Sequence, residues 1–186
     1  MIDLKQHLIE RGMDPELYVV AYDYEEQSIS FLLYNLSGQI VGYQKYRPGS
    51  EQKKKRNDED LGRYYTFTSK HKSDDGTSFK DGVFGLEAIL PPVRFTDRPL
   101  YIVEGVFKAA VLHRLGFDAI AVLTSHPKRL KSFLRIVKTV RPVVGIGDPD
   151  PAGEKLVRFV GAGFTSPKDL DEMSDLSIIK LLQGNT

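Results

Sequence analysis

The stretch VVGIGDPDPAGEKL, residues 143–156, decides how the second half of this sequence is interpreted. The apolar run over 143–146 is typical of a buried strand. After it, Asp148 and Asp150 alternate with prolines, and a helix is predicted from Ala152. The sequence therefore places two carboxylates at the tip of a strand, where we expect the prolines to fix the backbone and turn both acids the same way.

The composition is that of a globular protein. The chain has 186 residues, of which 41% are hydrophobic and 27% charged, enough to bury a core as one domain or as two small ones. The formal net charge is +1, so any affinity for nucleic acid must come from a local patch. The absence of cysteine excludes disulfides and thiolate zinc sites. Without a secretory signal or an apolar run of ~20 residues, we expect a cytoplasmic protein.

The first half of the chain is predicted to be mostly β-structure. A short helix is indicated over 4–9, and charged loops over 47–60 and 71–82. Four stretches rich in β-branched and aromatic residues are predicted as strands: 18–24, 28–34, 40–46 and 63–70. The second and third of these strands are close enough in sequence to form a hairpin.

The second half changes to an alternation of strands and helices. Short apolar runs are predicted as buried strands over 100–103, 119–123 and 143–146. Helices are predicted over 106–115, 127–138 and 152–160, and the second of them is amphipathic. Apolar strands that alternate with helices indicate a parallel sheet covered on both faces, which is an α/β fold.

Two of these strands end in acidic residues. Strand 100–103 runs into Glu104, and strand 143–146 leads to Asp148 and Asp150. Ligands bind beyond the carboxyl ends of parallel strands, so three carboxylates converge if the two strands are neighbours. Clustered carboxylates are stabilised by a cation, and their hard oxygen atoms suit Mg²⁺ or Mn²⁺. The alternative is that Asp148 caps the following helix and Asp150 is solvated, but the combined pattern favours a metal site.

These residues resemble a known catalytic module. Glu104-Gly105, followed by Asp148-x-Asp150-x-Ala152-Gly153, resembles the TOPRIM signature of DnaG-type primases, topoisomerases, OLD-family nucleases and RecR-like proteins. The upstream segments ISFLLYNLSGQIVGYQKYRPG, RYYTFTSK, GVFGLEAI and PLYIVEG resemble the basic β-rich region that precedes TOPRIM in bacterial and phage primases. The resemblance implies a TOPRIM-like parallel sheet flanked by helices over 93–186, preceded by a small β-rich basic subdomain over 1–92.

The resemblance also implies roles for individual residues. Glu104, Asp148 and Asp150 would be catalytic and would ligate Mg²⁺ or Mn²⁺, with Asp169 and Asp171 completing the metal site. Capping of the helix in MSDLSIIKLL is the alternative for the last two. The family often has an acid four residues after its glutamate, whereas this sequence has a lysine, Lys108, there. Thr124 would lie near enough to contact phosphate.

Positive charge is concentrated in the first half of the chain, among aromatic residues. Lys45, Arg47, Arg63 and Lys70 lie on or beside predicted strands, where they favour binding of nucleic acid or a nucleoside triphosphate. The KKKR run over 53–56 is as readily a solvated loop as a binding patch, given the acids that follow it. Among the aromatic residues, we expect Tyr64 and Phe67 to belong to the core.

The resemblance implies a DNA primase catalytic core, a nucleotidyltransferase that makes short RNA primers on single-stranded DNA from ribonucleoside triphosphates. A metal-dependent TOPRIM nuclease is the first alternative, and a non-catalytic DNA-binding or recombination-mediator protein the second. Since no cysteine is available for the zinc module that such primases usually carry, we expect a helicase or a template-recognition protein to act in trans. The chain is then either a core that works with a partner or a fragment.

Overall fold

Two four-stranded sheets, one antiparallel and one parallel, form the framework of the described residues in this computed structural model. It describes residues 1–35, 37–51, 62–68, 82–89, 95–123, 127 and 130–184. The strands are β1 (Val20–Asp23), β2 (Ser28–Tyr34), β3 (Ile40–Tyr46), β4 (Tyr64–Thr68), β5 (Leu100–Val103), β6 (Asp118–Ala121), β7 (Val143–Gly147) and β8 (Gly163–Thr165).

Short helices connect and cover these strands. The α-helices are α1 (Leu4–Glu10), α2 (Val106–Arg114), α3 (Lys131–Val137), α4 (Pro151–Val160) and α5 (Asp175–Gln183). Single 3₁₀ turns lie at Pro15–Leu17, Leu86–Ala88 and Leu170–Glu172. In the part of the chain that the structure describes, no helix has the length and apolar character needed to cross a membrane.

The antiparallel sheet has the strand order β1-β2-β3-β4. Alternate side chains of β2 point to opposite faces, so Ile29, Phe31 and Leu33 are all fully buried on one face. On β3, Gln44 and Tyr46 share that inner face, because Phe31 pairs with Gln44 and Ile29 with Tyr46. This face packs against the second half of the chain.

The parallel sheet has the order β6-β5-β7-β8, which makes β5 and β7 neighbours in its centre. Leu100 pairs with Val143, and Ile102 with Gly145. All four residues of β5 are buried, as expected for a strand covered on both faces. Leu100 and Ile102 pack in a cluster with side chains of α3 and α4, whereas the alternate residues of β5 pack with α1, α2 and β2.

Segment 82–84 links the two sheets. Val83 bridges to Tyr34 of β2, and Phe84 bridges to Ala121 of β6. One hydrophobic cluster contains residues of both sheets, and in it the Phe31 and Phe107 rings meet edge to face at 6.0 Å. The predicted domain boundary at residues 92 and 93 falls outside the described residues and stays a prediction.

The predicted fold class is confirmed: helices flank a parallel sheet, and an antiparallel β-sheet precedes it along the chain. The helix and strand predictions agree with the observed elements to within a few residues. One element that the sequence analysis did not predict is β8, whose three residues are too few to show a periodicity. The core assignment of Tyr64 and Phe67 is wrong, because their side chains are 39% and 44% exposed. Aromatic residues on both faces of β4 hide the alternation that would have shown which face is buried.

Candidate active site

The strand order brings two acidic residues to the same edge of the parallel sheet. Glu104 directly follows β5, and Asp148 directly follows β7. Since β5 and β7 are paired and parallel, their carboxyl ends lie together at this edge. The two strands are therefore neighbours, which is the condition under which the sequence analysis predicted that their carboxylates converge.

A close contact between Gly147 and Gly153 fixes the turn that presents Asp148. A Cβ atom on Gly147 would lie 2.3 Å from the Gly153 carbonyl oxygen, and one on Gly153 would lie 2.2 Å from the Asp148 backbone nitrogen. No side chain can occupy that space without moving the backbone. The two glycines therefore allow α4 to begin directly behind the end of β7.

A cleft of about 310 Å³ lies at this edge of the sheet. Acidic, basic and uncharged polar side chains surround it. Its lining residues are Arg11, Gln44, Tyr64, Glu104, Gly105, Val106, Phe107, Lys108, Leu123, Asp148, Asp169 and Asp171. Of the five predicted acidic site residues, the cleft therefore includes Glu104, Asp148, Asp169 and Asp171.

Asp150 does not line the cleft. Its Oδ1 atom accepts a hydrogen bond of 2.7 Å from the Gly153 backbone N–H, so Asp150 is the N-cap of α4. The sequence analysis had considered Asp148 for that role. The charge of Asp150 still contributes to raising the pKa of Glu104, after the larger effects of burial and Asp148.

Asp169 directly precedes the 3₁₀ turn Leu170–Glu172 and Asp171 lies within it, and the two acids meet two basic side chains in the cleft. The Asp171 carboxylate pairs with the guanidinium of Arg11, which lies 4.0 Å above the Phe107 ring. Neither acid caps α5, because the side chain of Ser174 accepts the hydrogen bond from the Ser177 N–H.

Lys108 lies between two of the acids. Its ammonium group donates a hydrogen bond to Oδ1 of Asp148, and its Nζ atom lies 3.4 Å from Oδ1 of Asp169. The residue is only 8% exposed. Burial alone would lower the pKa of Lys108, but the hydrogen bond to Asp148 and the charges of Asp169 and Asp171 raise it. The lysine is therefore held in its charged form.

Burial and neighbouring negative charges disfavour the ionised forms of the two carboxyl groups nearest this lysine, Glu104 and Asp148. Burial, and then the charge of Asp148, raise the pKa of Glu104, and Lys108 only partly opposes them. Burial also raises the pKa of Asp148, with contributions from Asp169 and Asp150, against the effect of Lys108. Both groups would be stabilised in their ionised form by additional positive charge.

The donor atoms at this edge fit a divalent cation in chemical type. Carboxylate oxygens are the preferred ligands of Mg²⁺ and Mn²⁺. The Oε1 atom of Glu104 is buried and accepts no hydrogen bond from the described residues. Within those residues, however, no three histidine, aspartate or glutamate side chains are already arranged to hold a metal. In chemical type, the Glu104 and Asp148 oxygens therefore suit such an ion, although Lys108 is hydrogen-bonded to Oδ1 of Asp148 in this structure.

The fold of the chain is similar to that of several solved structures. The chain is similar to the DnaG catalytic core, with a TM-score of 0.66 and 15% identity over 96% of this chain and 72% of the other. It is as similar to the primase fragment of the bacteriophage T7 primase-helicase protein, at a TM-score of 0.66 and 15% identity over 94% and 72%. The chain is also similar to a DnaG primase catalytic domain bound to ssDNA, with a TM-score of 0.55 and 17% identity over 96% of this chain and 60% of the other. The chain has the fold of a primase catalytic core.

This likeness to primases is one of fold, since the identities are low. No protein-family model matches the chain, and no curated protein is significantly similar to it in sequence. The primase fold accounts for both sheets and for their order along the chain. The roles of individual residues have to be argued from the cleft itself.

Three of the basic residues predicted to bind nucleic acid, Lys45, Arg47 and Arg63, lie away from the cleft. Lys45 pairs with Glu26 at 3.0 Å, and Arg47 lies 3.6 Å from the same carboxylate. Arg63 donates a hydrogen bond of 2.9 Å to the Ser50 carbonyl oxygen. None of the three lines the described part of the cleft. Lys70 and Thr124 lie outside the described residues, and their assignments stay predictions.

The sequence analysis missed several residues of the cleft. Arg11 directly follows α1, 160 residues before its partner Asp171, and no local pattern relates the two. Gln44 and Tyr64 reach the cleft from β3 and β4, on the face opposite Lys45. A register assignment for β3 against β2 would have placed Gln44 on the inner face, because Phe31 is its partner.

Proposed function

We propose that this chain is the catalytic core of a DNA primase, a nucleotidyltransferase that makes short RNA primers on single-stranded DNA. One observation carries the proposal: Glu104 and Asp148 follow neighbouring parallel strands into one cleft of a primase fold. Phosphoryl transfer depends mainly on positioning and on neutralising charge, and a cleft with both acidic and basic side chains serves both needs.

Mg²⁺ or Mn²⁺ is the cofactor that we propose. Glu104 and Asp148 would hold it, with Asp150, Asp169 and Asp171 contributing to the negative potential that attracts it. When bound, such an ion neutralises charge on a triphosphate and makes a hydroxyl group a better nucleophile. Because the pKa values of Glu104 and Asp148 are raised, a nearby cation would stabilise the ionised forms of both side chains.

The remaining cleft residues have roles that do not depend on the ion. Arg11 is held in place by Asp171 and by the Phe107 ring, so its charge is available at a fixed position for a phosphate group. The Tyr64 ring and the Gln44 amide lie on the same cleft and can contact a base or a ribose. We propose Lys45, Arg47, Arg63, Lys70 and Thr124 as the surface for the template and the triphosphate.

The partners that we propose are single-stranded DNA, ribonucleoside triphosphates and a helicase or template-recognition protein. Among the similar structures, one DnaG catalytic domain is bound to ssDNA, and the phage T7 fragment comes from a primase-helicase protein. A replicative helicase acting in trans would bring the core to its template.

A non-catalytic DNA-binding protein is the second candidate, and Lys108 is the observation that favours it. Its ammonium group already neutralises part of the charge of Asp148 and Asp169. A cleft that is permanently closed to a metal by this lysine would bind nucleic acid without turnover.

One assay separates these candidates. The chain is incubated with a single-stranded template, Mg²⁺ or Mn²⁺, and labelled ribonucleoside triphosphates, with the Asp148→Asn variant in parallel. Short RNA products from the wild type alone support the primase. Shortened DNA indicates a metal-dependent nuclease, and retention of DNA without any product indicates the non-catalytic protein.

A further inference from the structure

We infer that Lys108 is a resident cation of the acidic cleft, which competes with a divalent ion for Asp148 and Asp169. The inference rests on the proposed function only for the presence of such an ion in the cleft. It assigns to Lys108 control over how tightly the ion binds.

The position of Lys108 is the first step. The residue lies in the first turn of α2, directly after the Glu104-Gly105 segment, so its side chain reaches the edge of the sheet where Glu104 lies. Its Nζ atom contacts the Asp148 carboxylate and lies 3.4 Å from that of Asp169. A lysine this deeply buried is uncommon unless it is paired. Here two carboxylates pair with it.

The second step concerns the oxygen atoms that a metal would use. Oδ1 of Asp148 and Oδ1 of Asp169 both face the ammonium group. By contrast, Oε1 of Glu104 is buried and accepts no hydrogen bond within the described part of the chain. An ion that binds both Glu104 and Asp148 must therefore compete with the ammonium group of Lys108 for the Asp148 carboxylate.

The third step is electrostatic. An ammonium group within a few ångströms of a divalent ion repels it, and partial burial weakens solvent screening of that repulsion. The lysine side chain is a flexible four-carbon stem that can move its charge away from the cleft. Ion binding and displacement of Lys108 are therefore coupled, and removal of the ammonium group favours the ion.

Calorimetric titration of Mn²⁺ into the chain without nucleotide tests this coupling. The Lys108→Met variant keeps the length of the stem and removes the charge. Lys131→Met is the matched control, because Lys131 lies exposed on α3 and does not line the cleft. We expect Lys108→Met to bind Mn²⁺ at least about tenfold more tightly than the wild type, and Lys131→Met to bind it equally. Equal or weaker binding by Lys108→Met would overturn the inference.

A second measurement uses the wild type and does not depend on the folding of a variant. Lysine side chains are acylated briefly with and without Mn²⁺, and the modification of each lysine is quantified by mass spectrometry. Displacement by the ion should raise the acylation of Lys108 severalfold and leave Lys131 unchanged. Unchanged or reduced acylation of Lys108 would contradict the displacement.

Both readouts separate this inference from the proposed function. If Lys108→Met binds Mn²⁺ more tightly but the wild type makes no RNA, the lysine has the inferred role and the primase proposal fails. If RNA is made and the affinities are equal, only the role of Lys108 fails. If no form binds Mn²⁺ at millimolar concentration, Lys108 has no competitor and the inference is wrong.

Discussion

The carboxylate of Asp148 lies close enough to Glu104 to raise its pKa, second only to the effect of burial. The two residues are distant in sequence, and they meet because β5 and β7 are hydrogen-bonded neighbours with Ile102 opposite Gly145. The rest of the cleft is assembled around this pair. Asp169 and Asp171 reach it from the start of a 3₁₀ turn, and Arg11 reaches it from the end of α1.

Substitution of Gly153 by alanine should destabilise the fold and displace Asp148. The added Cβ would lie 2.2 Å from both the nitrogen and the carbonyl oxygen of Asp148. We expect a loss of more than about 2 kcal/mol in the free energy of unfolding, measured by urea titration. Gly105→Ala is the control, since its Cβ would have Lys108 Cδ as its nearest neighbour at 4.0 Å. Similar losses in both variants would show that the contact with Gly147 and Asp148 is unimportant.

The ion pair between Arg11 and Asp171 should stabilise the attachment of α1 to the cleft. A double-mutant cycle with Arg11→Ala and Asp171→Ala, measured in metal-free buffer, should give a coupling of about 1 kcal/mol. The pair is partly buried, with side chains 33% and 10% exposed. The exposed pair Lys5–Glu16 is the control and should show no measurable coupling. A zero coupling for Arg11 and Asp171 would refute the assigned role.

Glu87 should make the stability of the protein depend on pH. Both of its carboxylate oxygens are buried, and this burial raises its pKa from 4.5 to about 7, although the backbone N–H groups of Gly85 and Glu87 partly oppose the rise. The folded chain therefore retains a proton that the unfolded chain loses, so this contribution to stability is present at low pH and declines as the pH rises from about 4.5 to above 7.

Comparison of the wild type with Glu87→Gln isolates this contribution from other titrating groups. Between pH 5 and pH 8 the wild type should lose about 2 kcal/mol more unfolding free energy than the variant. Chemical denaturation at the two pH values measures the difference. Parallel pH profiles of the two proteins would mean that the carboxyl of Glu87 is not desolvated.

Asp148→Asn and Glu104→Gln should each reduce RNA synthesis by at least about 100-fold. The reason is that each change removes a negative charge from the cleft and leaves the shape of the side chain nearly unchanged. Asp97→Asn is the control, because Asp97 is exposed and does not line the cleft. Circular dichroism and thermal unfolding would show that the variants are folded. Full activity in either cleft variant would remove that residue from the catalytic proposal.

Much of the fold follows from local sequence patterns. The apolar runs at β5 and β7 predict the parallel sheet. The glycine and proline residues between β7 and α4 predict the turn after Gly147. The positions of Glu104 and Asp148 at strand ends follow from the same patterns. What these patterns do not specify is that β5 and β7 are neighbours, since strand order depends on contacts between distant segments.

The sequence patterns were least informative for side chains that meet across the fold. Asp150 and Asp148 are two residues apart and have different environments: one caps α4 and the other contacts Lys108. Local spacing does not distinguish these two environments. The contacts of Lys108 with Asp148 and Asp169 join residues 40 and 61 positions apart, so only the folded chain reveals them.

A crystal soaked in MnCl₂ gives the most direct test of the central claim, which is that Glu104 and Asp148 share a divalent ion. We predict an anomalous peak at the carboxyl edge of the parallel sheet, at roughly 2.0–2.2 Å from an oxygen of each residue, a distance typical of small hard cations. A map at saturating Mn²⁺ with no peak near either carboxylate, and with Lys108 still in contact with Asp148, would contradict the account.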